Sequence, residues 1–156
     1  MYEEEFVLIK ALLDGLRMDA SAKIVFLVDK NGQQIADAGE VELVDTTSLA
    51  SLTAGNVAAT DGLAKLIGEK EFSILFHEGR KDNIHISIVA QRLILVVIFD
   101  ERSSLGLVRL RVRKASVDIE RVLLEMEAKS QNVGTVENVS PFAEITDDDI
   151  DALFSE

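Results

Sequence analysis

Two histidines and their acidic neighbours are the residues whose types come closest to offering chemistry. His77 and His85 fall within predicted strands, and Glu78 and Asp82 lie between them. Imidazoles beside carboxylates can hold a metal ion, but the usual ligand spacings of metal sites are missing. The acidic run Asp147–Asp149 suits a helix amino terminus better than an acid–base pair. The pattern therefore predicts no metal ligands and no general acid or base.

Other catalytic signatures are also missing. Ser, His and Asp are present, but no nucleophile-elbow pattern surrounds a serine. Gly55 and Gly62 lie within a predicted helix, and no glycine–lysine signature of a phosphate loop is found. The chain has no cysteine, which excludes a disulfide or a thiolate metal site. We therefore expect no catalytic residues, no cofactor and no enzymatic turnover by this chain alone.

Composition and charge limit the partners. Apolar residues make up 47% of the 156 residues, which is typical of a folded domain with a tail. The acidic amino terminus is unlike a signal peptide, and the longest apolar run, residues 93–99, is too short to span a membrane. A formal net charge of −12 argues against nucleic acid or anionic lipid as a partner. We expect a soluble intracellular protein without membrane insertion.

Hydrophobic periodicity predicts an α+β domain. Helical spacing of apolar residues predicts helices over residues 2–20, 45–68 and from Ser103 or Ser104 to about Lys129. Strands are predicted over residues 23–29, 33–39, 71–77, 83–90 and 92–100. The first two strands flank Asn31-Gly32, a strong hairpin signal. The resulting order α-β-β-α-β-β-β-α predicts a five-stranded, mostly antiparallel sheet with helices on both faces.

The helix over residues 45–68 has an unusual pattern. The larger apolar residues on one side are predicted to face the core: Leu49, Leu52, Ala59, Leu63, Leu66 and Ile67. The opposite side carries a stripe of small residues: Ser51, Ala54, Gly55, Ala58 and Gly62. Each glycine within a helix costs about 1 kcal/mol relative to alanine. Either the small residues pack only within this chain, or they let a partner approach closely; we favour the second interpretation.

The chain beyond residue 129 changes character. Residues 1–129 are predicted to form the domain, residues 130–140 a flexible linker, and residues 141–156 an acidic amphipathic helix. Thr146 and Asp149 form a capping box. The apolar anchors of this docking motif are Phe142, Ile145, Ile150, Leu153 and Phe154. So short a helix should order only against a surface, and its acids favour a basic one. The alternative is a solubilising acidic tail.

Much of the positive charge of the domain is concentrated near the last helix. The residues are Arg102, Arg109, Arg111, Arg113, Lys114 and Arg121. They form either solvated helix faces or a docking surface for an acidic partner, such as the acidic tail of a neighbouring chain.

Several runs, taken with the order of elements, resemble a known family. The hairpin KIVFLVDKNGQQIADAG and the helix SLASLTAGNVAATDGLAKLIGE resemble the roadblock/dynein light chain family. The runs FHEGRKDNIHISIV, LVVIFDERSSLGLVRLRVRKA and SPFAEITDDDIDALFSE resemble more narrowly its bacterial gliding-motility and cell-polarity members.

The resemblance implies a homodimer and a partner. Two chains would pair through the edge strand 71–77 with their central helices side by side, an interface that includes Phe72, Ile74, Phe76, Ala58 and Gly62. The dimer would act as a GTPase-activating protein for one molecule of the small Ras-like GTPase MglA in its GTP-bound form. The implied GTPase contacts are Ser51, Ala54, Gly55, Ala58, Gly62 and Lys65. The carboxy-terminal motif would dock separately and tune affinity or nucleotide exchange.

The same resemblance shapes the expected mechanism. Many GTPase activators insert an arginine, and here Arg80 and Lys81 on the turn at 78–83 are the exposed candidates. The small-residue helix offers no arginine, so we expect the dimer to hold the switch residues of the GTPase in their reactive arrangement. This role would regulate polarity and motility from the cytoplasm, with concentration at a cell pole left open. A scaffold without effect on hydrolysis is the main alternative, and a small-molecule enzyme is the third.

Overall fold

The helices and strands follow the predicted order. The structure is a computed structural model that describes residues 3–139, with side chains described for residues 3–130. The helices are α1 (Glu3–Asp19), α2 (Thr46–Leu66) and α3 (Leu105–Val139), with a short 3-10 helix at Val41–Leu43 before α2. The strands are β1 (Ile24–Asp29), β2 (Gln34–Gly39), β3 (Ile74–Glu78), β4 (Asn83–Val89) and β5 (Leu93–Phe99). The α+β fold class is therefore confirmed.

The five strands form one sheet in the order β2-β1-β5-β4-β3, and each neighbouring pair is antiparallel. β5 lies in the middle, and all seven of its residues are buried. Its nearly continuous apolar sequence is expected of a strand that is covered on both faces. β3 lies at one edge, where half of the Ile74 side chain is exposed.

Helices cover both faces of the sheet, as predicted. Alternate side chains of the strands form two separate apolar cores because successive residues point to opposite faces. One core lies between the sheet and the pair α1 and α3, and it includes Ile9, Leu95 and Ile119. The other lies between the sheet and α2, and it includes Phe26 and Val57. The sheet therefore separates α2 from α1 and α3.

A buried carboxylate joins α1 to α3. The Glu5 side chain is almost fully buried, and its Oε2 accepts a hydrogen bond of 2.7 Å from Lys129 Nζ. Lys129 also donates to Glu4 at 2.9 Å. Hydrogen bonds to Glu5 and Glu4 raise the pKa of the Lys129 ammonium. This pair holds the amino terminus of α1 against the second half of α3.

Two predicted boundaries are wrong. α3 does not end near Lys129 but continues to Val139, so the segment predicted as a linker is helical up to that residue. The division into domain, linker and tail stays a prediction. The edge strand begins at Ile74 rather than residue 71, which leaves Phe72 before it. Pairing stops near Ser73 because the neighbouring strand turns away at Ala90 and Gln91, whose φ angles are 54° and 63°.

Candidate interaction surface

α2 is fixed at its start by a capping aspartate and along one side by small residues. The Asp45 carboxylate accepts hydrogen bonds from the Ser48 backbone N–H at 3.2 Å and from its hydroxyl at 2.7 Å. Asp45 is therefore the N-cap of α2. The buried residues of α2 are Ala50, Thr53, Val57 and Ala64. Small inward residues let the helix lie close to the sheet.

The predicted core side of α2 is wrong. Leu52 is 73% exposed and Leu66 is 84% exposed, and Leu63, Ile67 and Ala59 are exposed as well. Of that predicted set only Leu49 is half-buried, against the core under α2. The prediction placed the bulkiest apolar residues inward, whereas the short distance to the sheet admits small ones. A Cβ built on Gly32, at the β1–β2 turn, would lie 3.3 Å from the Ser51 Cα, which shows how close the backbones come.

The stripe of small residues lies on the exposed side of α2. Ser51, Gly55, Ala58, Gly62 and Lys65 are exposed, and Ala54 is half-buried. A Cβ built on Gly55 or Gly62 would meet no atom within 4 Å. The packing of this chain therefore does not require glycine at either position. Their role as a GTPase contact stays a prediction.

Small residues and leucines together form one exposed surface with little charge. At 100° per residue, Ser51, Ala58 and Gly62 project about 100° from Leu52, Ala59 and Leu63 around the helix. We call these the small-residue flank and the leucine flank of the outer face of α2. Of the two charged residues after the cap, Lys65 is exposed about 20° from Ala58, on the small-residue flank, and Asp61 is half-buried about 60° from Ala58, toward the sheet. Contiguous exposed apolar surface of this kind marks interaction sites.

Replacing Gly55 by alanine should stabilise the fold. The added methyl group meets open space, and alanine is favoured over glycine within a helix by about 1 kcal/mol. We expect the free energy of unfolding, measured in urea, to rise by about that amount. The matched control is Gly15→Ala on α1, where the added Cβ also meets nothing within 4 Å. Destabilisation by Gly55→Ala alone would show that this chain itself needs the glycine.

The residues predicted for the dimer edge differ in how far they are exposed. Ile74 is half-exposed on the edge strand, and Phe72 is half-buried just before it. Phe76 packs inward, with its ring stacked on Phe99 at a centroid distance of 6.1 Å. The outer backbone edge of β3 has no neighbouring strand in this sheet. Pairing through this edge would therefore rest on its backbone and Ile74 rather than on the Phe76 side chain.

The two histidines do not come together. His77 pairs with Ile84 and His85 with Phe76 in the β3–β4 ladder, so the two imidazoles lie on opposite faces of the sheet. His77 is exposed, whereas His85 is buried beneath α3. Within the described part of the chain, no three His, Cys, Asp or Glu side chains are grouped as a metal site would require.

Acidification should destabilise the protein through His85. Burial, and secondarily the Arg109 charge, lower the pKa of His85 below its ordinary value of 6.5. The unfolded chain therefore takes up this proton more readily, so the stability contributed by neutral His85 is present above pH 6.5 and is lost as the pH falls. The charged groups of α3 that line the same cavity are Arg109, Arg113 and Glu120.

Urea unfolding between about pH 7.5 and about pH 5.5 measures this effect. We expect the wild type to lose stability with a slope no steeper than about 1.4 kcal/mol per pH unit for one proton. His85→Gln should flatten that slope, and His77→Gln, the exposed control, should not. An unchanged slope in His85→Gln would contradict the assignment.

The predicted cluster of cations divides into separate roles. Arg102 pairs with Asp100 at 2.9 Å and with Glu40 at 3.4 Å, and Arg121 pairs with Asp118 at 3.4 Å. Arg109 and Arg113 line a cavity under α3. Arg80 and Lys81 are exposed on the β3–β4 turn, as expected. Not all of these cations therefore belong to one docking surface.

The carboxy-terminal docking motif lies outside the described residues. The docking role of its apolar anchors therefore stays a prediction. These anchors are Phe142, Ile145, Ile150, Leu153 and Phe154. In the part that the structure does describe, no helix is both long and apolar enough to cross a membrane.

The sheet and the helices that precede its last strand match a known family. A model of the Roadblock/LC7 domain matches residues 8–99, more than half of the chain. The protein therefore belongs to the Roadblock/LC7 family. A search of curated proteins found no match.

Among solved structures, MglB proteins are similar over most of the chain. MglB of Myxococcus xanthus is 62% identical with a TM-score of 0.77, over 80% of this chain and 94% of that one. The gliding protein MglB of Thermus thermophilus is 30% identical with a TM-score of 0.74, over 80% and 95%. An MglB described with a tetrameric arrangement is 28% identical, with a TM-score of 0.74 over 80% and 94%. The resemblance stated from sequence is confirmed.

Proposed function

We propose that this chain is a homodimeric GTPase-activating protein for a small Ras-like GTPase of the MglA type. The observation that carries the proposal is the outer face of α2, which is exposed, carries a charge at Lys65 and is dotted with glycines that this chain does not itself require. Its likeness to MglB of Myxococcus xanthus supports the same interpretation. The chain would then be a regulator that supplies no catalytic machinery of its own.

The two flanks of the outer face would contact different partners. Leu52 and Leu63 expose bulky apolar surface that a second copy of the chain would bury, and the backbone edge of β3 would pair with its twin. The small-residue flank then approaches the GTPase, with Ser51, Ala58 and Gly62 leaving room for its backbone. The tetrameric arrangement described for a related MglB is consistent with self-association.

Stimulation would come from positioning rather than from an inserted arginine. No arginine lies on α2, and Arg80 lies on the β3–β4 turn. The dimer would bind the GTPase with its switch segments in the reactive arrangement and so shift their population. The anchors of the carboxy-terminal motif would dock separately and tune affinity or nucleotide exchange.

Phosphate release from purified MglA-type GTPase, with and without this chain, tests the function. We expect faster hydrolysis in the presence of the chain. Binding of the chain to the GTP-bound GTPase without a change in the rate of hydrolysis would instead favour a non-catalytic scaffold. This alternative stays open because other proteins share the fold, among them MglC of Myxococcus xanthus.

Single replacement of arginines by alanine tests the mechanism. Stimulation should stay within a few-fold of wild type in Arg80→Ala and in variants of the arginines near α3, because none donates a catalytic group. An inserted arginine is worth about 10³–10⁵ in rate in known cases. One arginine whose loss abolishes stimulation, with GTPase binding preserved, would contradict the positioning mechanism.

A further inference from the structure

A cavity of about 530 Å³ lies between α3 and the strands β3 and β4. It lies on the face of the sheet opposite α2, so it is separate from the surface proposed to contact the GTPase. Its volume falls within the range of small-molecule sites. Apolar walls come from the strands and from α3 and include Ile74, Val112 and Val117.

The floor of this cavity carries polar groups where a core is expected. β4 turns His85 and Ser87 toward α3, and their side chains are 1% and 6% exposed. Neither ring nitrogen of His85 nor the Ser87 hydroxyl has a hydrogen-bond partner among the described residues. Leaving a buried polar group unpaired is unfavourable. A sheet surface under a helix has no packing reason to carry this pair.

The facing side of α3 is polar in the same place. Arg109, Arg113 and Ser116 follow one another at helical spacing on the side that lines the cavity. Neither arginine forms an ion pair with a described side chain. Glu120 lies further along the same lining and disfavours a second negative charge there. The arrangement thus offers two guanidinium groups, two hydroxyls and a neutral imidazole beside an apolar wall.

We propose that this cavity binds a small organic anion with one carboxylate or phosphate head group and an apolar body. The head group would pair with Arg109 and Arg113, which are suited to oxyanions. His85 and Ser87 would supply hydrogen bonds from the floor, and the body would lie against Ile74 and Val117. Binding there would satisfy the buried polar groups that the fold leaves unpaired.

Amide NMR spectra of the full chain, titrated with chosen probes, test the proposal without any GTPase. The probes are benzoate, phenyl phosphate and inorganic phosphate, with benzylamine as the cationic counterpart, each up to roughly 10 mM. We expect saturable shifts around Ser87 and Arg109 with benzoate or phenyl phosphate, and none with benzylamine. The tighter of the two organic anions identifies the head group. Equal binding of inorganic phosphate and phenyl phosphate would contradict the apolar part of the site.

Variants separate a built site from general charge attraction. Arg109→Gln with Arg113→Gln should weaken binding about tenfold or more, and Ser87→Ala should weaken it several-fold. Lys114→Gln, an exposed neighbour that does not line the cavity, should bind like wild type. Absence of saturable shifts with both organic anions, or unchanged binding in the double variant, would overturn the proposal.

Discussion

Replacing Gly62 by arginine should abolish stimulation of GTP hydrolysis while the protein stays folded. The site is exposed, and a Cβ there meets nothing within 4 Å, so a long side chain extends into solvent in the free protein. At the proposed interface the same side chain would hold the two backbones apart. We expect GTPase binding to weaken by at least about 100-fold, or about 2.7 kcal/mol. Phosphate release and titration calorimetry measure the two effects.

Two further variants make this result specific, together with sedimentation velocity to show that the dimer persists, because Gly62 and Ala58 are also predicted dimer contacts. Ala58→Arg, on the same flank, should behave like Gly62→Arg. Gly15→Arg introduces the same residue at an exposed helical glycine of α1, on the other side of the sheet, and should leave stimulation unchanged. Normal stimulation by both α2 variants would place the GTPase contact elsewhere.

Aspartate at Leu52 and Leu63 should convert the protein to monomers. Both leucines are exposed in the single chain, so the changes should cost the fold little. In the proposed dimer each chain would bury two unpaired carboxylates, and burying an unpaired charge is strongly unfavourable. We expect the dimer dissociation constant to rise by at least about 1000-fold, or about 4 kcal/mol. Sedimentation velocity over a range of concentrations measures it.

The control for this change is an exposed leucine on another helix. Leu110 of α3 is 56% exposed, and Leu110→Asp should leave the dimer intact. The Leu52→Asp/Leu63→Asp monomer should also lose stimulation, because two chains are proposed to engage one GTPase. A dimer that persists in the double variant would show that the leucine flank is not the self-association surface.

Periodicity predicted those parts of the fold in which burial follows hydrophobicity. Residues 92–100 were predicted as a strand, and all residues of β5 are buried. Residues 83–90 were predicted as a strand, and in β4 the alternate residues Ile84, Ile86 and Ile88 all pack on the core under α2. The Asn31-Gly32 turn was also predicted correctly, with Gly32 at a φ of 91°.

The sequence did not predict burial correctly where small or charged residues, rather than large apolar ones, face the core. In α2 the leucines are outside because Ala50 and Ala64 allow the closest approach to the sheet, and hydrophobicity alone could not show this. Glu5 is buried because Lys129, far away in sequence, neutralises it. The cavity pair His85 and Ser87 was missed as well, although two polar residues on the alternate positions of an apolar strand were a visible signal.

Alanine-methyl NMR of the labelled dimer tests the central claim, that the outer face of α2 binds the GTPase. Ala58 reports on the small-residue flank, and Ala11 reports on the exposed side of α1. We add half an equivalent of GTP-bound MglA-type GTPase per chain, which is one GTPase for each dimer. The Ala58 signal should then shift and split in two, because one GTPase makes the paired chains unequal. The Ala11 signal should stay in place. Formation of the complex with the Ala58 signal unmoved would contradict the account.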